Sequence, residues 1–292
     1  SAKPGVMHAC GHDGHMAILL GLAKWLHMNK ESLKHDVVLI FQPAEETEGG
    51  AYPMIQEGVL EDPKVDVIFG LHLFPDIPQG KVGLRSGPLM AQACEFDINL
   101  KGKSAHGAMP HRGTDALLAA CYFVTNLQSI VTRKINPLEN ALVTIGRMEA
   151  GEVRNKLAEN VKMEGIVRTF SDDVYNIIET NILNLLQGLE KAYGIEGKYE
   201  VKTYYPVVSN DLKWTSKVKN ILDNDVVVEA SPLMIAEDFA FYQQKVPGVY
   251  FLLGTGNPSK GYAYPLHSNR FNFDEEVLLY GIQLYVDILN NL

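Results

Sequence analysis

The sequence has few cysteines and no long apolar run. Cys10, Cys94 and Cys121 are the three cysteines among 292 residues. Their odd number and irregular spacing do not form a disulfide framework, which favours a reducing compartment and leaves a thiol free for metal. No stretch approaches the roughly eighteen apolar residues of a membrane span, and the first residues lack the pattern of a signal peptide. We therefore expect a cytoplasmic protein with no membrane partner.

Basic residues are also in the minority. The chain has 26 Lys and Arg against 35 Asp and Glu, a net charge of -9, and its basic residues form no cluster. Nucleic-acid binding requires clustered Lys and Arg to neutralise phosphates, so we expect no nucleic-acid partner. Small molecules are the expected partners.

Apolar periodicity predicts an α/β fold. Residues 16–28 carry apolar side chains around most of a helical wheel, which predicts a buried helix. Residues 36–43 and 65–73 are short, β-rich, nearly continuous apolar runs. Such runs are typical of strands buried on both faces of a helix-flanked sheet. Ligand sites in α/β proteins form at the ends of such strands, and an acid or a histidine follows or ends each run.

The pattern changes at residue 93. Residues 93–206 predict the order β-α-β-β-α-β, the ferredoxin-like plan of a four-stranded antiparallel sheet with two helices on one face. Mixed α/β patterning resumes at 207, so we expect this domain to be inserted into a catalytic domain made of residues 1–92 and 207–292. The chain opens without the strand and helix that an α/β domain normally places before such a start, so we expect an upstream segment to be missing.

Residues that can bind metal recur at the ends of the predicted elements. They are Cys10 and His12 in the stretch MHACGHDGH, the pair Glu45 and Glu46, His72, and His267. Thiolate, imidazole and carboxylate together suit zinc, manganese, cobalt or nickel, and more than four ligands indicate two divalent ions. Two ions can hold both a nucleophilic water and the oxygen that it attacks, and Cys10 would be a natural bridge between them.

The adjacent glutamates predict hydrolysis. Neighbouring side chains on an extended segment point in different directions and can therefore have different roles. We assign Glu46 as a metal ligand and Glu45 as the general base that takes a proton from water and passes it to the leaving nitrogen. The alternative is an exposed acidic turn, although a solvated turn rarely ends so apolar a strand.

Several neighbouring residues have more than one interpretation. Asp13 either orients a ligand imidazole or caps the following helix. His8 and His15 are left out of the ligand set, because His8 is explained by packing beside the site and His15 by capping or facing the core. Glu237 and Asp238 either support the site or only hold the loop AEDFAFY.

Seven sequence blocks in a fixed order resemble one known family. The blocks are HACGHDGH, QPAEETEGG, FGLHLFP, GKSAHGAMPHRGTDA, GRMEAGEVRN, AEDFAFY and PLHSNRF. They resemble the dinuclear metallo-amidohydrolases that include aminoacylases, hippurate hydrolase, N-acetyldiaminopimelate deacetylase and the auxin-conjugate hydrolases. The resemblance implies metal ligands at Cys10, His12, Glu46, His72 and His267, with Glu45 as the base.

The same resemblance assigns roles in the inserted domain. It implies that this domain is a lid that also forms a homodimer, and that His106 of the GKSAH motif reaches the site of the other subunit. An imidazole there could stabilise the oxyanion of a tetrahedral intermediate while the lid excludes water. Asn155 and Arg168 are candidates for binding a substrate carboxylate or the oxyanion, and Arg168 could do so with two hydrogen bonds.

Together these features predict a metal-dependent amidohydrolase. We expect it to cleave the amide of N-acetyl or N-benzoyl amino acids with a metal-activated water. An N-acetyldiaminopimelate deacetylase and a carboxypeptidase or dipeptidase are alternatives that use the same residues. A catalytically impaired metal-binding protein is the alternative of a different class, and Glu45 argues against it, because a protein that only holds metal needs no spare base.

Overall fold

A computed structural model describes residues 3–47 and 49–292 of the chain. The chain divides into two compact units. The split unit comprises residues 1–89, 208–232 and 238–292, and the inserted unit comprises residues 90–207 and 233–237. Among the described residues, no helix is long and apolar enough to cross a bilayer.

Helices and strands are interspersed along the chain. In chain order they are α1 (His12–Asn29), α2 (Ala51–Gln56), β1 (Ile68–Pro78), β2 (Val82–Leu84), β3 (Gly87–Met90), β4 (Gln92–Lys101), α3 (Ala116–Lys134), β5 (Ala141–Ala150), β6 (Asn160–Thr169), α4 (Asp172–Tyr193), β7 (Glu196–Tyr205), β8 (Val208–Asn210), α5 (Leu212–Ile221), β9 (Val227–Glu229), α6 (Ala240–Gln243), β10 (Gly248–Gly256) and α7 (Glu276–Asn291). Short 3-10 turns lie at Lys30–Ser32, Pro110–Arg112 and Pro258–Lys260. Strands β3 and β8 pair as a two-stranded sheet.

The split unit is built on a mixed sheet with the strand order β1-β10-β2-β9. Strand β1 is parallel to β10, β10 is antiparallel to β2, and β2 is parallel to β9. Ile18 of α1 and Val277 of α7 pack in one buried cluster with Leu73 and Phe251 of the sheet. The strand predicted at 65–73 is therefore confirmed as β1, and so is the helix-flanked mixed sheet.

Helix α1 buries one face and exposes the other. It begins at His12 because Gly11 adopts a left-handed conformation with φ 83° and starts the turn. Ile18, Leu22 and Leu26 are buried, whereas Leu20 is 61% exposed. The predicted helix is therefore confirmed, but the prediction that it is buried around most of its circumference is wrong.

Residues 36–43 do not form the strand that their apolar run predicts. The segment has no assigned strand and belongs to none of the three sheets. Val38 and Phe41 are 37% and 44% exposed. The prediction is wrong because a β-rich run forms a strand only when a neighbouring strand pairs with it, and the described part of the chain offers this segment none.

The inserted unit has the predicted ferredoxin-like plan. Its elements run β4-α3-β5-β6-α4-β7, and its antiparallel sheet has the order β5-β6-β4-β7. Phe96 and Ile98 of β4 pack in one buried cluster with Phe123 of α3 and Ile178 of α4. Alternate residues of β4 point to the helices, which leaves the other face of the sheet free for polar side chains.

Candidate metal centre

Six of the predicted residues meet in the split unit. Cys10 and His12 lie at the start of α1, Glu45 and Glu46 lie in the loop before α2, His72 lies within β1, and His267 lies in the segment between β10 and α7. The strand carrying His72 continues to Pro78, so this histidine lies within the strand rather than at its end.

The side chains lie close enough to share metal ions. Cys10 Sγ is 3.4 Å from His72 Nε2 and 3.2 Å from His267 Nε2. His267 Nε2 is 3.2 Å from Glu46 Oε1. His12 Nε2 is 3.7 Å from Glu45 Oε2 and 3.8 Å from Glu46 Oε1. The centre therefore contains all five residues proposed as ligands and the residue proposed as base.

Cys10 belongs to two groups of potential ligands. One group joins it to His12 and His72, and the other joins it to Glu46 and His267, with the ligand atoms of each group within 4.8 Å of one another. A thiolate shared by two sets of ligands is suited to bridging two cations. Thiolate, imidazole and carboxylate donors together suit divalent transition-metal ions.

The hydrogen bonds of His72 suit it to the ligand role that the sequence predicts. Its Nδ1 donates to the carbonyl oxygen of Leu73 at 2.8 Å, so the lone pair is on Nε2, which lies 3.4 Å from Cys10 Sγ. Burial is the largest influence on this imidazole and lowers its pKa to about 4. His72 is therefore neutral near pH 7, as metal binding requires.

His15 contacts the centre, although the sequence analysis left it out. Its Nε2 accepts a hydrogen bond from the backbone N–H of Leu73 at 3.0 Å. Its ring centroid is 4.5 Å from that of His72 and 5.3 Å from that of His12. Burial, followed by the charges of these two histidines, holds the pKa of His15 well below its usual value. Spacing is the signal that could have found it, because residues 12 and 15 share a helix face.

The start of α1 excludes one of the two interpretations of Asp13. The N-cap residue is Gly11, and no side chain caps the helix. Asp13 is exposed in the first turn, so its N-cap interpretation is wrong. A carboxylate in the first turn still stabilises the helix through its interaction with the helix dipole.

The two glutamates differ in environment. The Glu45 side chain is 20% exposed and that of Glu46 is 45% exposed. Burial, then the charges of Glu46 and Asp238, raises the pKa of Glu45 to about 7. A carboxyl group with a pKa near neutrality can both take and return a proton. The environments thus fit Glu45 as the base and Glu46 as a ligand.

Backbone strain is concentrated beside these residues. Among the described residues, the only non-glycine residues with positive φ are Ala44 and His267, both at 63°. One precedes Glu45 and the other is a proposed ligand. The N–H of His267 donates to the carbonyl oxygen of Ala9 at 2.8 Å, which ties its segment to the start of α1. Such strain persists where the surrounding structure enforces it, as at functional sites.

The remaining predicted residues lie in the inserted unit and do not form one cluster within a chain. His106 Nδ1 accepts from the N–H of Ala108 at 3.1 Å, so in the neutral ring the proton is on Nε2, which can donate. The N–H of Gly107 donates to the carbonyl oxygen of Asn155, which brings Asn155 next to His106. Arg168 lies eight residues beyond Asn160, the first residue of β6. At about 3.3 Å per residue, the two residues are roughly 26 Å apart along the strand.

A family model and two curated relatives match this chain. The model of peptidase family M20/M25/M40 matches residues 1–291. The N-acetyldiaminopimelate deacetylase of Streptococcus uberis is 38% identical over 279 residues, which cover 94% of this chain and 72% of that protein. The N-acetylcysteine deacetylase of Bacillus subtilis is 38% identical over 292 residues, which cover 99% of this chain and 74% of that protein.

A solved structure shares the fold. It is the YXEP protein of Bacillus subtilis, described as a dinuclear metal binding peptidase of the M20 family. The TM-score is 0.82 at 33% identity, over 99% of this chain and 75% of that one. The likeness thus extends over both units of the chain.

Proposed function

The chain belongs to peptidase family M20/M25/M40, a family of hydrolases that act on amide bonds, and we propose that it hydrolyses N-acyl amino acids in a metal-dependent reaction. Membership confirms the family resemblance of the sequence blocks. The observation that carries the proposal is the convergence of Cys10, His12, Glu46, His72 and His267 around the half-buried Glu45. A further carboxylate beside the five proposed ligands favours catalysis over metal storage alone.

Two divalent cations, of manganese, zinc, cobalt or nickel, would be held by Cys10, His12, Glu46, His72 and His267. When bound, they would lower the pKa of water and polarise the acyl carbonyl. The chain itself orients the donors: Leu73 fixes the tautomer of His72, and the tie to Ala9 fixes the backbone of His267. These constraints reduce the conformational entropy that the ligand residues lose when metal binds.

Glu45 would move the proton. Its carboxylate takes a proton from the attacking water as the water oxygen bonds to the acyl carbon, and it returns that proton to nitrogen as the carbon–nitrogen bond breaks. The products are a carboxylic acid and a free amino acid. His106 of the partner subunit would donate from Nε2 to the oxyanion, and Asn155 and Arg168 would bind the substrate carboxylate or the oxyanion.

A homodimer through the inserted unit would supply that histidine. Strand β5 lies at an edge of its sheet, so it can pair with a second copy. Leu118 and Tyr122 of α3 and Met148 of β5 are 46%, 48% and 43% exposed. These apolar side chains and the free edge support an interface between inserted units. The few cysteines support a cytoplasmic location.

The names of the relatives indicate which acyl group to expect on the substrate. Both curated relatives described above are named as deacetylases of N-acetyl amino acids. We therefore place N-acetyl amino acids first among the substrates and N-acetyldiaminopimelate as the specific alternative. N-benzoyl amino acids and dipeptides are the next classes to test.

A substrate panel tests the function. The protein, freed of metal and reloaded with Mn²⁺ or Zn²⁺, is incubated with N-acetyl amino acids, N-acetyldiaminopimelate, N-benzoyl amino acids and dipeptides, and released amine is measured. We expect hydrolysis of the N-acetyl class that disappears with chelation and returns with metal. If metal-loaded protein releases amine from no member of the panel, the enzyme proposal is wrong.

A further inference from the structure

Asp238, in the sequence AEDFAFY, is a fully buried carboxylate that contacts the loop carrying the two glutamates. It has 0% exposure. Both its carboxylate oxygens accept from Gln42 Nε2 at 2.8 Å, and Oδ2 also accepts from the backbone N–H of Ala51 at 3.0 Å. These three contacts are all with the segment around residues 42–51, and none is with α6, which follows Asp238.

The two donors stand at the two ends of one loop. Residues 43–50 lie between Gln42 and Ala51, and Glu45 and Glu46 lie within this loop. The loop ends approach each other closely, because a Cβ at Gly50 would be 2.0 Å from the carbonyl oxygen of Pro43. Inside the loop, the N–H groups of Thr47 and Gly49 donate to the carbonyl oxygen of Ala44. One carboxylate thus joins both ends of a compact turn.

A buried carboxylate needs such partners. Removing its charge from water is costly unless hydrogen-bond donors replace the water. The N–H of Ala51 is also the first of α2, and the first N–H groups of a helix have no partner within the helix. Asp238 satisfies this donor from a distant part of the chain. The contact therefore fixes where the loop ends and α2 begins, as well as where the loop starts.

We propose that Asp238 is a positioning residue that fastens both ends of the loop 43–50 and so holds Glu45 and Glu46 in place. It acts on the loop through Gln42 and Ala51, and one of its carboxylate oxygens also lies within 4.8 Å of an oxygen of Glu45. The assignment rests on the proposed function, because it presumes that Glu46 binds metal and Glu45 moves a proton. Residues that orient ligands in this way typically contribute about 10- to 100-fold to metal affinity.

Three substitutions distinguish the effect of the hydrogen bonds of Asp238 from the effect of its negative charge. Asp238→Ala removes both contacts, and Gln42→Ala removes only the contact at the start of the loop. Asp238→Asn can keep both, because its Nδ2 can donate to a turned Gln42 amide while its Oδ1 accepts from Ala51. We expect Asp238→Ala to weaken Co²⁺ binding by about 10- to 100-fold, Gln42→Ala to weaken it less, and Asp238→Asn to remain close to the wild type.

A second measurement needs no metal. In the metal-free protein, amide hydrogen exchange within residues 44–51 should be faster in Asp238→Ala than in the wild type, and Asp238→Asn should restore the protection. Thr215→Val is the structural control, because it removes a partly buried hydrogen bond from Thr215 Oγ1 in α5 to the carbonyl oxygen of the N-cap residue Asp211. It should lower the melting temperature without changing Co²⁺ affinity.

The results distinguish the two proposals. Wild-type Co²⁺ affinity and wild-type exchange in folded Asp238→Ala would overturn the positioning role. If Asp238→Ala does not fold, Gln42→Ala decides, and unchanged affinity and exchange in that variant would overturn it equally. If the wild type binds no Co²⁺, the proposed function fails, while the exchange measurement still shows whether Asp238 fastens the loop.

Discussion

The two units of this chain distribute their polar residues in opposite ways. In the split unit, cysteine, histidines and glutamates converge at one point beside the two positive-φ residues Ala44 and His267. In the inserted unit the shared core is largely apolar, and charges such as Asp97, Lys162 and Glu164 pair with one another on the sheet. Convergent, partly desolvated polar groups are suited to chemistry, whereas paired surface charges contribute little to stability.

The largest expected difference between the units concerns Glu45. In the split unit, Glu45→Gln should lower kcat by about 10²- to 10⁴-fold, because the amide cannot take a proton from water. In the inserted unit, Glu164→Gln should leave kcat unchanged. Steady-state kinetics and metal content measure both. Metal loss in Glu45→Gln would mean that Glu45 is a ligand rather than the base.

The second-largest effect is expected at His106, in the inserted unit. His106→Ala should lower kcat by about 10²- to 10³-fold, because an oxyanion donor is lost. Metal content should not change. Mixing His106→Ala with Glu45→Gln chains and allowing them to exchange should restore roughly a quarter of wild-type activity, because each mixed dimer has one intact site.

The mixing experiment can contradict the role of His106 in the site of the partner subunit. If His106 acts in the site of its own chain, a mixed dimer has no intact site, and no activity returns. Size-exclusion chromatography of the mixture checks that chains exchange. A monomeric protein would exclude the partner role of His106.

A smaller effect is expected at His15. His15→Phe keeps a ring against His72 but leaves the N–H of Leu73 without its acceptor, which costs about 1–3 kcal/mol of folding stability. Because the carbonyl oxygen of Leu73 also accepts the hydrogen bond from His72 Nδ1, Mn²⁺ affinity should fall by about 10- to 100-fold. Thermal unfolding and metal titration measure the two effects. His27→Phe, an exposed change on the same helix, is the control and should alter neither.

The smallest effects compare two glycines with positive φ, one in each unit. Gly11, before α1, has φ 83°, and Gly194, after α4, has φ 65°. Alanine at either position should destabilise the fold by about 1–2 kcal/mol because of its Cβ. At Gly11 the Cβ would also lie 3.2 Å from Leu73 Cδ1, beside His72, so only Gly11→Ala should weaken metal binding. Equal metal affinity in the two variants would contradict the expected effect of the Gly11 substitution on the metal centre.

Much of the fold could be predicted from local patterns. The alternation in β4 and the apolar stripe of α4 identify elements because burial on one face leaves a period of 2 or 3.6 in the sequence. The same patterns gave the wrong answer at residues 36–43, since strand formation also depends on a pairing partner that composition does not reveal. Short strands such as β2 and β9 were missed because three residues carry too little pattern.

The candidate ligands could be predicted by residue type, but their supporting contacts could not. Cysteine, histidine and glutamate near predicted element ends, together with the ordered blocks, indicated the metal centre. Nothing local to His15 shows that it accepts from Leu73, and nothing local to Asp238 shows that it joins Gln42 to Ala51. Those contacts connect residues as far as 196 positions apart.

The sequence by itself determined which donors are available and which elements carry them, because side-chain chemistry and hydrophobic periodicity are local properties. Tertiary structure alone decided that Cys10 and His267, 257 positions apart, lie 3.2 Å from each other. It also decided that Glu45 is more buried than Glu46 and that both loop ends meet Asp238. Distance, burial and pKa depend on which remote segments pack together, and packing is a property of the whole fold rather than of any one stretch of sequence.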